Sequence, residues 1–231
     1  MSHPFSPLPA VTVPIQGSRE RFPVHRIYCV GRNYAEHARE MGNVPEKGTA
    51  PVFFMKPADA VVSEGRDPRF PSATQNLHHE VELVVALAGG GENIDPTRAL
   101  DWVYGYAVGV DLTRRDLQAA AKAKGDPWDT AKGFDDSAPI SVIVPAAGRH
   151  PLDERLWLTV NGVEKQCSAV SQMLWTVPEI IAELSRFFRL QAGDLIYSGT
   201  PAGVGPLLPG DRVECGLEGW VKFGFTMAPR Q

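Results

Sequence analysis

In the run "NLHHEVELVV", residues 76–85, two carboxylates two positions apart, Glu80 and Glu82, interrupt a segment that is otherwise apolar after its histidines. Side chains alternate across a strand, so His78, Glu80 and Glu82 share one face while Val81, Leu83 and Val85 share the other. Like charges on an enclosed face resist ionising together unless a proton, a basic group or a metal ion compensates them. Oxygen ligands alone suit a hard ion such as Mg²⁺, Mn²⁺ or Ca²⁺ better than zinc. Asp111, at the end of the apolar run "YGYAVGVDL", is a candidate third carboxylate. Periodicity by itself reads the same run as a half-buried strand with one wet face, and Asp111 as a residue approaching the next helix.

A second pair is His37 and Glu40, three apart in "NYAEHAREMG". That spacing puts both on one helix face, where the carboxylate can orient the imidazole and raise its basicity, the usual way to make a general base. The plainer alternative is a surface ion pair. Taken alone, Lys132 reads as a solvated loop lysine, and Arg115 and Gln118 as an exposed helix face. The "SGTPAGVG" turn lacks the Lys-Ser/Thr ending of a phosphate loop, and Gly89–Gly91 read as an ordinary turn. Cys29, Cys167 and Cys215 show neither zinc-site pairing nor a disulfide framework, which predicts free thiols, small buried hydrophobes in a reducing cytoplasm.

The elements that must position these groups are mostly strands. Strands are predicted at 26–31, 52–56, 78–87 and over "YGYAVGVDL", and Asn161-Gly162 between alternating runs predicts a hairpin. Helices are predicted over 33–42, with Asn33 as cap, Glu36 completing a capping box and Gly42 closing, and from Asp95-Pro96 onward. A third is predicted over 113–125, capped by Thr113 with Asp116 in its first turn and Gly125 at its end. A fourth opens at Pro178, with Ile181, Leu184 and Phe188 on its apolar stripe. The fold class is α+β, mainly β. Residues 1–25, rich in proline, read as an N-terminal arm, and 26–231 as one domain.

Composition is that of a globular chain: 231 residues, 43% hydrophobic and 22% charged. A net charge of −4 supplies no basic field for nucleic acid or anionic lipid. No apolar run approaches membrane-spanning length, and the first residues resemble neither a secretion signal nor an anchor. The partner expected is therefore a small molecule.

Six segments occur in order: "VGRNYAEHAREMG", "FFMKPADAVV", "NLHHEVELVVAL", "GYAVGVDLTRRDLQ", "GDPWDTAKGFDDSAPI" and "GDLIYSGTPAGVGPLLPGD". With them the chain, from about Arg26 to about Phe225, resembles the fumarylacetoacetate hydrolase family, and within it the short members that cleave acylpyruvates. The resemblance implies a rolled, mixed β-sandwich with a few short helices, usually a homodimer in the cytoplasm. It implies a Mg²⁺ or Mn²⁺ site at Glu80, Glu82 and Asp111, which Ca²⁺ can fill in a crystal. It implies a His37–Glu40 dyad on a lid segment, an active-site Lys132, and substrate contacts from Arg115, Gln118 and Thr200; Arg32 is left outside this set.

The activity implied is hydrolysis of a carbon–carbon bond in a diketo acid, fumarylpyruvate giving fumarate and pyruvate in aromatic catabolism. His37 would take a proton from water, and Lys132 and Gln118 would stabilise the oxyanion. Oxaloacetate decarboxylation or tautomerisation, hydroxymuconate-type isomerisation, and a non-enzymatic ligand-binding role are the alternatives.

Overall fold

The computed structural model describes residues 3–42, 51–63 and 65–230. Its architecture is mixed α+β, dominated by β-sheet. A six-stranded sheet has the spatial order Val144–Pro145, Val103–Val110, Val81–Leu87, Leu195–Tyr197, Ile27–Gly31, Val52–Lys56. All neighbours are antiparallel except Leu195–Tyr197 beside Ile27–Gly31. A second, four-stranded antiparallel sheet runs Val163–Ala169, Arg155–Val160, Arg212–Leu217, Val221–Thr226. Its first turn is the Asn161-Gly162 hairpin, with φ of 52° and 78°, the double positive φ of a type I′ turn.

Among the described residues four short α-helices accompany the sheets: α1 (Ala35–Glu40), α2 (Arg115–Lys124), α3 (Asp129–Lys132) and α4 (Val177–Leu184). Helix α4 starts with a capping box, Thr176 and Glu179, and carries Ile181 and Leu184 into the core; it ends at Leu184, and Phe188 follows in a turn that packs on Tyr28. Residues Pro96–Trp102 form a 3₁₀ helix instead of the expected α-helix, with Asp95 capping Thr97 as expected. Among the described residues no helix is long and apolar enough to cross a membrane.

The central strand Val81–Leu87 is buried at every position, which overturns the half-buried strand with one wet face that periodicity by itself suggests. Leu83, Val85 and Leu87 join Tyr28, Val108 and Ile196 in a core closed by the second sheet and α4. Val84 and Ala86, on the side of Glu82, join Cys29, Ala107 and Tyr197 in another core. That second core is covered by Val13, Ile15 and Phe22, which belong to a hairpin of Thr12–Pro14 and Arg21–Pro23 within the Pro-rich N-terminal residues. A sheet covered on both faces loses the polar alternation that marks a one-sided sheet.

Two predicted caps act elsewhere. Helix α1 has Tyr34 at its N-cap without a side-chain cap bond, and no capping box forms with Glu36. Asn33 instead donates to the carbonyls of Trp175 (3.0 Å) and Ser198 (2.8 Å) and accepts from the Trp175 N–H (2.7 Å). Three tertiary hydrogen bonds outweigh one cap bond. Thr113 lies in the short strand Thr113–Arg114, and α2 is preceded by Arg114; Gly125 closes α2 at φ 74° as predicted. Cys29 and Cys215 are buried free thiols, whereas Cys167 is exposed beside Arg155.

Candidate metal centre and active site

The strand expected over 78–87 breaks at Glu80. Leu77–His79 pairs in a small sheet with Gly205–Leu207 and Thr113–Arg114, and Val81–Leu87 enters the central sheet. Glu80 thus sits at the joint, Glu82 one step inside the central strand, and Asp111 immediately after Val103–Val110. The Asp111 N–H donates to the Glu80 carbonyl at 2.8 Å, so the backbone itself pins two of the acids together. One carboxylate oxygen from each of Glu80, Glu82 and Asp111 lies within 4.8 Å of the others, and all three residues are buried.

Three cations meet this cluster unequally. Lys132, 2% exposed at the end of α3, sends its Nζ to Glu80 Oε2 (2.7 Å), Asp111 Oδ2 (2.6 Å) and Thr113 Oγ1 (2.6 Å). Arg115, at the start of α2, pairs with Glu80 Oε1 and donates to Gln118 Oε1 at 2.6 Å. Lys56, at the end of the edge strand Val52–Lys56, lies 2.8 Å from Asp111 Oδ1 and also donates to the carbonyls of Leu112 and Lys132. Asp111 Oδ1 is thus buried and ion-paired with Lys56, with no further hydrogen-bond partner among the described residues.

Glu82 is treated differently. Among the described residues its Oε2 accepts only the Gly199 N–H, at 2.9 Å, and no cation pairs with it. Burial, with the charges of Asp111 and Glu80, pushes its carboxyl well above the usual carboxylate range despite Lys132. Burial also pushes Glu80 up, but Lys132 and Arg115 outweigh it and hold that carboxyl low. Burial works against the charge of Lys132, while Asp111 and Glu80 raise its pKa above that of an ordinary lysine. A buried acidic cluster with one member left uncompensated is consistent with a divalent metal site.

The remaining expected residues converge on the same place. His37 is buried on α1, and its Nδ1 lies 3.2 Å from Glu40 Oε2. His37, Arg115, Gln118, Lys132 and Thr200 line one pocket with the three acids, and Glu40 stands behind His37. Lys132 is thus neither solvated nor in a loop.

The "SGTPAGVG" turn links the two halves of the pocket, because the Gly199 N–H bonds Glu82 and the Gly203 N–H reaches both Glu40 oxygens at 3.2 and 3.3 Å. Only glycine fits these two positions: φ is 99° and 94°, and an added Cβ would stand 2.6 Å from Asn33 Cβ and 2.0 Å from the Lys165 carbonyl oxygen.

Sequence reasoning missed Lys56 and Gln166. Gln166, 1% exposed, donates to Thr200 Oγ1 (2.8 Å) and the Pro201 carbonyl (2.9 Å) while its Oε1 meets His79 Nδ1 and the Val81 N–H. It ties the turn to the strand joint. Lys56 carried a readable signal, a charge closing an apolar strand before a proline; Gln166, within the mostly exposed Val163–Ala169 strand, carried none.

The comparison with known proteins agrees with this geometry. The family profile described as fumarylacetoacetate (FAA) hydrolase C-terminal matches residues 26–227. A fumarylpyruvate hydrolase from Pseudomonas aeruginosa, solved in complex with Mn²⁺ and pyruvate, is 44% identical with a TM-score of 0.96, covering 99% of this chain and 100% of that one. The mitochondrial oxaloacetate tautomerase of Mus musculus is 45% identical over 202 residues, 87% of this chain and 90% of its own. A mitochondrial oxaloacetate decarboxylase of Dictyostelium discoideum is 42% identical over 196 residues, 84% of this chain and 89% of its own. On a match spanning both sheets and all three acids, this chain belongs to the fumarylacetoacetate hydrolase family.

Proposed function

We propose that the protein is a Mg²⁺- or Mn²⁺-dependent enzyme for oxaloacetate and related 2-oxo acids, catalysing keto–enol interconversion by proton transfer at the carbon beside the keto group, or decarboxylation, in which the bond from that carbon to the far carboxylate breaks, CO₂ leaves and the resulting enolate takes up a proton. The observation that carries this reading is the uncompensated Glu82 beside Asp111 and Glu80, a hard-ion site next to a histidine with a carboxylate behind it. The oxaloacetate enzymes among the relatives support the choice of substrate.

Glu80, Glu82 and Asp111 would hold the ion, which would supply Lewis-acid polarisation of the bound 2-oxo acid. His37 presents Nδ1 to Glu40, so Nε2 is the nitrogen that takes the proton. Gln118 is turned by its bond to Arg115, which leaves its amide N–H₂ to donate to a developing enolate oxygen. Lys132 holds Glu80 and Asp111 in place and keeps Glu80 charged, and Thr200, oriented by Gln166, contacts the carboxylate end.

Hydrolysis of an acylpyruvate such as fumarylpyruvate is the second reading. It is favoured by the whole-chain likeness to the Pseudomonas enzyme, which includes the N-terminal hairpin region. Here His37 takes its proton from water. The deciding experiment gives the Mg²⁺-loaded protein oxaloacetate, fumarylpyruvate and acetylpyruvate, following enol absorbance and pyruvate release. The proposal expects oxaloacetate turnover about 10⁶-fold or more over the uncatalysed rate. Fumarylpyruvate cleavage without oxaloacetate turnover moves the assignment to hydrolysis, and no turnover of any substrate by ion-loaded protein sinks both.

A further inference from the structure

The inner cations of the pocket already have acids: Lys132 and Arg115 pair with Glu80, Lys132 and Lys56 with Asp111. Two further cations line the same pocket farther out, Arg32, which is exposed, and Lys122, which is half-buried on α2. Among the described residues neither has a carboxylate partner.

Both are held in place by unusual means. Arg32 has φ 63°, a left-handed conformation costing an L-residue about 1–2 kcal/mol. It is kept there between the end of the Ile27–Gly31 strand and Asn33, whose three hydrogen bonds fix the backbone that follows. Strain that surrounding structure over-determines at a pocket wall points to a use for the side chain. Lys122 Nζ lies 5.0 Å from the centroid of the Trp128 ring. Gly31, the neighbour of Arg32, abuts that indole, since a Cβ there would be 3.8 Å from Trp128 Cζ3. Arg32, Lys122 and Trp128 thus line the same part of the chain's pocket, with the Arg32 charge near enough to act on Lys122.

Burial lowers the Lys122 pKa, and Arg115, Arg32 and Lys132 lower it further, with Glu80 opposing. The ammonium stands in a concentrated positive field. An anion entering this rim meets two charges that no protein acid has neutralised.

We propose that Arg32 and Lys122 form a distal anion subsite that takes the far carboxylate of the substrate. This rests on the proposed 2-oxo-acid chemistry and adds the residues that hold the second carboxylate of oxaloacetate or fumarylpyruvate. The near carboxylate and keto group belong to the acid cluster; the far carboxylate would be held by guanidinium and ammonium, as charge-assisted hydrogen bonds require.

The test is calorimetric titration of the Mg²⁺-loaded full-length protein with 2-oxoglutarate and with 2-oxopentanoate. These have the same chain length and differ by the terminal carboxylate, and neither is a β-keto acid or an acylpyruvate. The expected result is about tenfold or tighter binding of the diacid. Arg32→Gln and Lys122→Gln should each remove most of that preference while leaving 2-oxopentanoate affinity unchanged, and the double variant should abolish it. Wild-type binding of both acids with no preference, or a preference that survives both substitutions, overturns the subsite and leaves the 2-oxo-acid reading standing. Mg²⁺ binding with neither acid bound also overturns the subsite, while the 2-oxo-acid reading stands or falls separately on oxaloacetate turnover.

Discussion

Glu80 and Glu82 lie two residues apart, yet the walls they face neutralise them in opposite ways. Glu80 looks toward α2 and α3, which bring Arg115 and Lys132 against its two oxygens. Glu82 looks toward the 199–203 turn, which offers a single backbone N–H. One charge is balanced by the fold itself, while the other waits for a cation from outside. A buried carboxylate with built-in partners contributes to holding the structure together, whereas one without partners is tolerated only for what it binds.

The largest test of this contrast is stability without metal. Glu80→Gln leaves Arg115 without a charged partner and Lys132 with only half of its acids, and should cost about 3–5 kcal/mol in urea unfolding. Glu82→Gln should stay within about 1 kcal/mol of the wild type, since it removes a charge that Asp111 and Glu80 repel. Equal losses in both variants would erase the distinction.

Adding ion should reverse the order. Mg²⁺ at a hundredfold excess over its dissociation constant should stabilise the wild type by about 2.7 kcal/mol, seen as a rise in Tm. Glu82→Gln should lose most of that gain, and chelation should return the wild type to its starting Tm.

Gly199→Ala probes the Glu82 wall from the other side. With φ 99° and Asn33 Cβ 2.6 Å away, the methyl should cost about 1–3 kcal/mol and weaken Mg²⁺ binding in titration calorimetry. The Glu80 pairs should be untouched. The smallest effect is expected from His78→Ala. Its Nδ1 lies 3.4 Å from Arg115 Nε, a long contact, so Arg115 should stay on Glu80 and Gln118 and unfolding should change by under about 1 kcal/mol.

Much of the site was legible because its signals are local. Asp111 ends an apolar strand, Gly125 ends α2, and Asn161-Gly162 turns a hairpin, each within a few residues. Remote contacts hid the rest. The wet face expected beside Glu80 and Glu82 vanished because the N-terminal hairpin and the segment around Ile140 and Ile143 cover it, and neither is near in sequence. Asn33 looked like a helix cap, yet partners more than 140 positions away claimed its amide. Gln166 was invisible because its importance lies wholly in what the strand joint and the turn offer it.

The 199–203 turn has a consequence for how the chain can vary. Surface connections usually absorb insertions, since nothing depends on their length. This one is a ruler of fixed span: its first glycine holds the acid of the central strand and its last holds the acid behind the histidine. An extra residue between Gly199 and Gly203 cannot leave both contacts in register, so this short turn should tolerate a change of length less well than many positions in the core.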